Sequence, residues 1–286
     1  MKRKLTDRLV GRFWRPGRNI RTADTFWMAH PAVRRSINRQ ITGDENLWPI
    51  DWLKREFVTT PIGRVAVPGC GTGELERDLL SKDLCRRVLA FDLSHAQVEE
   101  ARLQARRHGL EDRIEYRVAS TDRFDPQAEP FDGCFFHQSL HHARDPDAVI
   151  RRLADALPPG ALVYLDEYIG PSRKQWNRRF FAAAVETYAA LPAKARLHPS
   201  LRIPGLLAKL SDPSESIASD RILPAVENHL EIVARRDYGG FLLQPIWGQV
   251  VQDDALVEEL IARERLLCSS HPPWFTVIVA RVGSAG

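Results

Sequence analysis

Residues 64–76 read Arg-Val-Ala-Val-Pro-Gly-Cys-Gly-Thr-Gly-Glu-Leu-Glu. The apolar run Val65 to Val67 predicts a buried strand, Gly69-Cys70-Gly71-Thr72-Gly73 a turn, and Glu74 to Leu84 a helix. A strand, a glycine turn and a helix bring backbone N–H groups close to a ligand, which larger side chains at those positions would hold off. A dinucleotide loop wants its third glycine three residues after the second. Glu74 holds that place here, and the glycine comes one residue early. A pyrophosphate would also meet two carboxylates, Glu74 and Glu76, in the first helical turn. The loop therefore suits a nucleoside without a phosphate chain, and its spacing disfavours a nicotinamide-linked oxidoreductase.

Strand and helix alternate from there. Arg87 to Asp92 reads as a second strand, and Ser94 with Gln97 three residues on reads as a capping box. The helix it opens, Ala96 to His108, stops at Gly109. Ile114 to Ala119 and Phe131 to Gln138 predict strands, Pro146 to Leu157 a helix capped by Asp145, and Ala161 to Glu167 a fifth strand. This order predicts an α/β fold, a doubly wound parallel sheet with helices on both faces. Residues 171–228 interrupt it, rich in Pro and Ser; then come a strand, Leu230 to Asp237, a helix, Gln252 to Leu266, and a last strand, Trp274 to Val282. Ligands of open α/β sheets bind at the carboxyl ends of the strands. The insertion 171–228, with the N-terminal helices, is expected to cover that edge on the acceptor side, as a lid or as packing that completes the domain.

The chain of 286 residues is long enough for one large domain. Residues 1–56 hold 13 Lys/Arg and 6 Asp/Glu, a net of +7, so the chain total of +4 leaves −3 for residues 57–286. A nucleic-acid enzyme more often carries a broad basic face on its body, so no nucleic-acid partner is expected. The basic arm reads as a solvated lead or as a peripheral contact with an anionic surface. The N-terminus has no apolar core, and no stretch approaches the ~20 apolar residues that span a bilayer. The four scattered cysteines suggest neither a metal site nor a disulfide framework, which points to a reducing, cytoplasmic setting.

The glycine loop resembles motif I of the class I S-adenosylmethionine (SAM)-dependent methyltransferases. Further stretches look like a bacterial subgroup of these enzymes, often found near glycan or secondary-metabolite biosynthesis genes: Gly73-Glu74-Leu75-Glu76-Arg77, Phe131-Asp132-Gly133, Ser139-Leu140-His141-His142, Glu167 to Arg173, Asp212-Pro213-Ser214-Glu215-Ser216 and Tyr238-Gly239-Gly240. The resemblance spans roughly residues 25–282. It implies a Rossmann-like seven-stranded sheet with its last strand antiparallel, a methyltransferase domain over 57–286 behind a helical arm at 1–56, and SAM as cofactor. Gly69, Cys70, Gly71 and Gly73 form its loop. Asp92, 19 residues after Gly73 and followed by Leu93, is placed to accept from both ribose hydroxyls. The family commonly has an acid at the adenine amino group, here Asp122 beside Thr121, with Arg123 over the base or in solvent. His137 and Gln138 fall where the family loop passes the methionine half of SAM. One departure stands out: the acid the family usually carries two residues before the first glycine is Val67 here.

Methyl transfer from a sulfonium is an in-line displacement that needs positioning and, for a hydroxyl, a base. His141 and His142 are candidates, as is Glu167 at the end of the fifth strand; strand alternation sends Asp166 and Tyr168 to one side and Glu167 to the other. No metal is expected, since there is no acidic cluster with ligand spacing and adjacent residues rarely ligate together. His271-Pro272-Pro273-Trp274 is similar to the base-clamping motif of amino-group DNA methyltransferases, but it enters the last strand and reads as a rigid turn. The leading reading is methyl transfer to a small-molecule or glycan acceptor at oxygen, with a homodimer as the candidate assembly. Alternatives are a degenerate SAM fold serving as a binding partner or scaffold, and a nucleic-acid or protein methyltransferase.

Overall fold

The computed structural model describes residues 25–203 and 214–283. Two helices, α1 (Pro31–Thr42) and α2 (Pro49–Phe57), precede the first strand. The order then runs β1 (Ile62–Pro68), α3 (Glu74–Ser81), β2 (Cys85–Asp92), α4 (His95–Arg107), β3 (Ile114–Val118), β4 (Gly133–His137), α5 (Pro146–Ala156) and β5 (Leu162–Tyr168). After the insertion, which carries α6 (Ala182–Ala190) and α7 (Ile222–His229), come β6 (Glu231–Asp237), α8 (Asp254–Leu267) and β7 (Phe275–Arg281).

The seven strands form one sheet in the order β3-β2-β1-β4-β5-β7-β6. Strands β1 to β5 pair in parallel, whereas β7 runs antiparallel to both neighbours, with Tyr164 opposite Val279 and Arg235 opposite Ile278. Buried on both faces, the central strands are almost continuously apolar, as parallel sheets require. Val65, Val67, Val88 and Tyr164 face one apolar cluster, shared with α1 to α4 and α8. Ala66, Leu89, Phe91, Val163 and Leu165 face the other, shared with α5 and α7.

The segment before β1 is part of this core: Trp27, Val33, Ile37, Ile41, Trp52 and Leu53 are buried in the first cluster. Its residues 1–24 lie outside the described chain, and with them most of the basic arm. The cap expected at Ser94 forms only by half. Its hydroxyl accepts from the Gln97 amide at 3.4 Å, but the Gln97 side-chain oxygen meets no donor. The Pro272-Pro273 segment is the rigid turn expected: His271 stacks on Phe241, and Trp274 is buried and donates its N–H to the Gly239 carbonyl.

Candidate active site

The first crossover of the sheet places the site. The chain leaves β1 and turns at once: Gly69 and Cys70 both donate N–H to the Phe91 carbonyl of β2, at 2.7 and 3.1 Å. Gly69, Gly71 and Gly73 have φ of 72, 54 and 77°, values that side-chain-bearing residues rarely adopt. The three differ in surroundings. A methyl group on Gly69 would lie 2.5 Å from Ser139 Cβ, and one on Gly73 2.4 Å from the Tyr116 hydroxyl. On Gly71 it would meet nothing within 4 Å. Gly71 therefore presents the open face of the loop, while the other two let the loop sit tightly on its neighbours.

Asp92 closes β2 beneath that face. One carboxylate oxygen accepts from the Gly71 amide at 3.1 Å, the other from Ser94 at 2.8 Å. Desolvation raises its pKa, against the Ser94, Gly71 and Leu93 amides that lower it. Each oxygen keeps a lone pair for a further donor. A nucleoside sugar fits this set: bare glycine backbone facing open space, and a carboxylate fixed against it. Asp122 sits in a 3-10 turn with Thr121 and Arg123, accepting from the Arg144 amide at 2.9 Å.

The second half of the site is the loop after β4. Gln138 has φ 51°, strained for a residue with a side chain, and turns the chain away from the sheet. Its side-chain amide donates to Asp166 and to the Tyr238 hydroxyl, and Tyr238 donates to Asp166 at 2.5 Å. His137 is exposed, 3.6 Å from Asp166. A 3-10 turn, Leu140–His142, follows.

Glu167 organises that turn. It is fully buried, and its carboxylate accepts from the amides of Ser139 and Leu140 at 2.6 and 2.5 Å, from Tyr168 at 3.2 Å, and from His141 Nδ1 at 2.8 Å. Burial alone would raise its pKa, yet the charge and hydrogen bond of His141 and the two loop amides hold it below the ordinary carboxylate value. The sequence reading made Glu167 a candidate to bind the acceptor hydroxyl or take its proton. In the structure both of its oxygens are occupied inside the protein, an arrangement suited to positioning His141. An ionised carboxylate only accepts, so Nδ1 of His141 donates to it, and in the neutral form of the ring the lone pair is on Nε2.

Nε2 lies 3.9 Å from Glu215, and Ser214 Oγ lies 3.1 Å from His142 Nδ1. Ser214 and Glu215 of the insertion thus lie against the histidine pair; Asp212 and Pro213 fall outside the described residues. Donor atoms of His141, His142 and Glu215 all lie within 4.8 Å of one another, a group that could hold a metal ion, where none was expected from the sequence. Trp176 is packing: its indole N–H bonds the Pro171 carbonyl, which also accepts from Tyr168. Sequence reasoning missed Tyr238, Ser139 and Glu215 as site residues. Their only signal was that each falls in a stretch shared with the resembled subgroup.

Residues 65–160, which carry the glycine loop, Asp92 and the His141–His142 turn, match the family described as methyltransferase domain. The chain contains a class I SAM-dependent methyltransferase domain. A ubiquinone biosynthesis O-methyltransferase from Xanthomonas axonopodis pv. citri is 38% identical over 121 residues, which are 40% of this chain and 48% of that protein. The chain thus matches about half the length of this curated relative. The geranyl diphosphate C-methyltransferase of Streptomyces coelicolor A3(2), solved with Mg2+, geranyl diphosphate and S-adenosyl-L-homocysteine, superposes with a TM-score of 0.55 at 15% identity. The superposition covers 96% of this chain and 98% of that one. A geranyl diphosphate methyltransferase solved with GPP and sinefungin gives 0.56 at 16% identity, over 97% and 99%. At such identities these likenesses establish the fold. No helix among the described residues is long and apolar enough to cross a membrane.

Proposed function

We propose that the protein transfers a methyl group from SAM to a hydroxyl of a small-molecule acceptor, with His141 as the base. The observation that carries this reading is the buried His141–Glu167 pair, tied to the cofactor loop by the contact of Ser139 with Gly69. SAM supplies the methyl group and a thioether leaving group. Gly71 and Asp92 hold the nucleoside, with Leu93, Thr121, Asp122 and Arg123 around the base and His137 and Gln138 toward the methionine half. Glu167 fixes the ring of His141 so that Nε2 accepts the hydroxyl proton as the oxygen bonds to the methyl carbon. Burial of the pair keeps water from taking the base's place. Transfer to oxygen also accords with the named activity of the curated relative. The free cysteines accord with action in the cytoplasm. A glycan acceptor, a homodimer and a membrane contact through residues 1–56 are alternatives that acceptor screening, light scattering and vesicle sedimentation separate.

The test is calorimetric titration with SAM, followed by transfer of labelled methyl to a panel of hydroxylated small molecules. SAM should bind, and Asp92→Ala should weaken it by more than tenfold, about 1.4 kcal/mol. Product with the label on oxygen is expected. EDTA should leave turnover unchanged, because His141 accepts the proton without a metal. Activity lost to EDTA and restored by a divalent ion would turn the His141–His142–Glu215 group into a metal centre.

A further inference from the structure

Glu76 is a buried group this reaction leaves unused. It lies in the first turn of α3, two residues after the exposed Glu74, and is 0% exposed. Neither of its carboxylate oxygens has a hydrogen-bond partner. Its own backbone amide and the Cys70 thiol lie within electrostatic reach but not at bonding geometry. Buried carboxylates are ordinarily paired or bonded, because desolvating them without compensation is costly. A charge-bearing group in such a place, directly behind the glycine loop, calls for a positive partner, and none bonds it among the described residues.

Its electrical neighbours sharpen the point. Cys70 on the loop, Asp92 at the end of β2, Cys85 at the start of β2 and Tyr116 on β3 all couple to it. None of these is a cation. Arg77, next along α3, is the cation among the described residues that faces it, and its guanidinium donates instead to the Thr72 carbonyl at 2.7 Å. Burial, against a weaker pull from the Glu76 amide, Arg77 and Cys70, carries the carboxyl to about 8. Meanwhile Val67, where an acid is usual in proteins resembling this one, is buried and apolar. The chain thus lacks a carboxylate at the end of β1 and has a spare one in the first turn of the helix that follows.

We propose that Glu76 replaces the acid missing at position 67, as the carboxylate that balances the cationic amino-acid end of SAM from behind the glycine loop. This rests on the SAM-binding reading above. On binding, the cation draws the proton off Glu76. The protein therefore releases a proton when a ligand with an amino-acid cation binds, and none on this account when the ligand lacks one.

Three probes separate this role from simple support of the loop: SAM, S-adenosylhomocysteine, and 5′-methylthioadenosine, which keeps the nucleoside but not the amino acid. Affinities and proton release are measured calorimetrically at pH 6.5 in two buffers of different ionisation enthalpy. Wild type should release close to one more proton with SAM than with methylthioadenosine. Glu76→Gln should weaken SAM and S-adenosylhomocysteine at least tenfold, leave methylthioadenosine within threefold, and abolish the extra proton. Equal losses for all three ligands would make Glu76 a structural support and overturn the proposal, as would unchanged affinities. Should Glu76→Gln lack a cooperative melt, the wild-type proton count alone decides, and no extra proton means rejection. Wild type that binds none of the three ligands would instead overturn the cofactor reading itself.

Discussion

The most consequential single side chain is Glu167, because four donors converge on it and one of them is the proposed base. Glu167→Gln keeps the shape but replaces one acceptor oxygen by a donor. Either a loop amide or His141 Nδ1 then faces an N–H group, and the ring loses the partner that fixes its tautomer. Turnover should fall by about a hundredfold or more, within the range usual for losing general-base catalysis. SAM affinity should stay within threefold of wild type, since Asp92 and Gly71 are untouched. Steady-state kinetics beside calorimetry makes the comparison, and full activity would reduce the pair to a structural one. The sequence could place Glu167 at a strand end and send it opposite Asp166 by alternation. It could not show that the following loop folds back over it, because that depends on contacts 26–28 residues away. For the same reason Glu74 and Glu76 look alike in sequence, while one is exposed and the other sealed.

At the scale of elements, α3 and α4 end in the same motif with different residues. After α4, Gly109 takes φ 65°, and Leu110 N–H reaches back to the Ala105 carbonyl at 2.9 Å. After α3, Asp83 takes φ 52°, and Leu84 N–H reaches back to Leu79 at 2.9 Å. Both are Schellman caps. The left-handed conformation costs a residue with a Cβ about 1–2 kcal/mol, while glycine loses about 0.5–1 kcal/mol of chain entropy. Asp83→Gly should therefore stabilise the fold by about 0.5–1 kcal/mol, and Gly109→Ala should destabilise it by a similar amount. A methyl on Gly109 meets nothing within 4 Å, so its cost is conformational alone. Paired urea melts check both, and shifts of the same sign would refute the assignment. This contrast also explains the legibility of the helices. Gly109 marks the end of α4 in the sequence, whereas Asp83 gives no such mark, and the reading ran the helix on to Leu84. The strands were legible within a few residues, because the buried parallel sheet writes itself as apolar runs. The antiparallel entry of β7 was not: periodicity does not encode direction, and only the family resemblance supplied it.

At the scale of the whole molecule, stability should fall as pH rises through neutrality. Glu76 and Glu264 are both buried, and burial raises them to about 8 and about 7 from an ordinary 4.5. Glu264, on α8, holds the amides of Leu242 and Leu243 at 2.8 and 3.2 Å and so ties that helix to the segment after β6. Between 4.5 and these raised values the folded chain keeps protons that the unfolded chain has released, so each group lowers stability with rising pH. The slope is about 1.4 kcal/mol per pH unit per group where the difference is complete. Glu167 acts in the opposite sense: its lowered pKa supplies stability above 4.5 that is lost only as pH falls below that value. The unliganded protein should thus melt highest in mildly acidic buffer and progressively lower toward pH 8. Glu264→Gln should flatten the portion below about 7, and Glu76→Gln the portion that continues to about 8. Saturating SAM should remove most of the Glu76 portion, because the ligand favours the ionised carboxylate that the empty site disfavours. Calorimetric melts from pH 5.5 to 8.5, with and without SAM, measure this; a wild-type melting temperature that climbs toward pH 8 without ligand would show that these two carboxylates do not govern the stability profile.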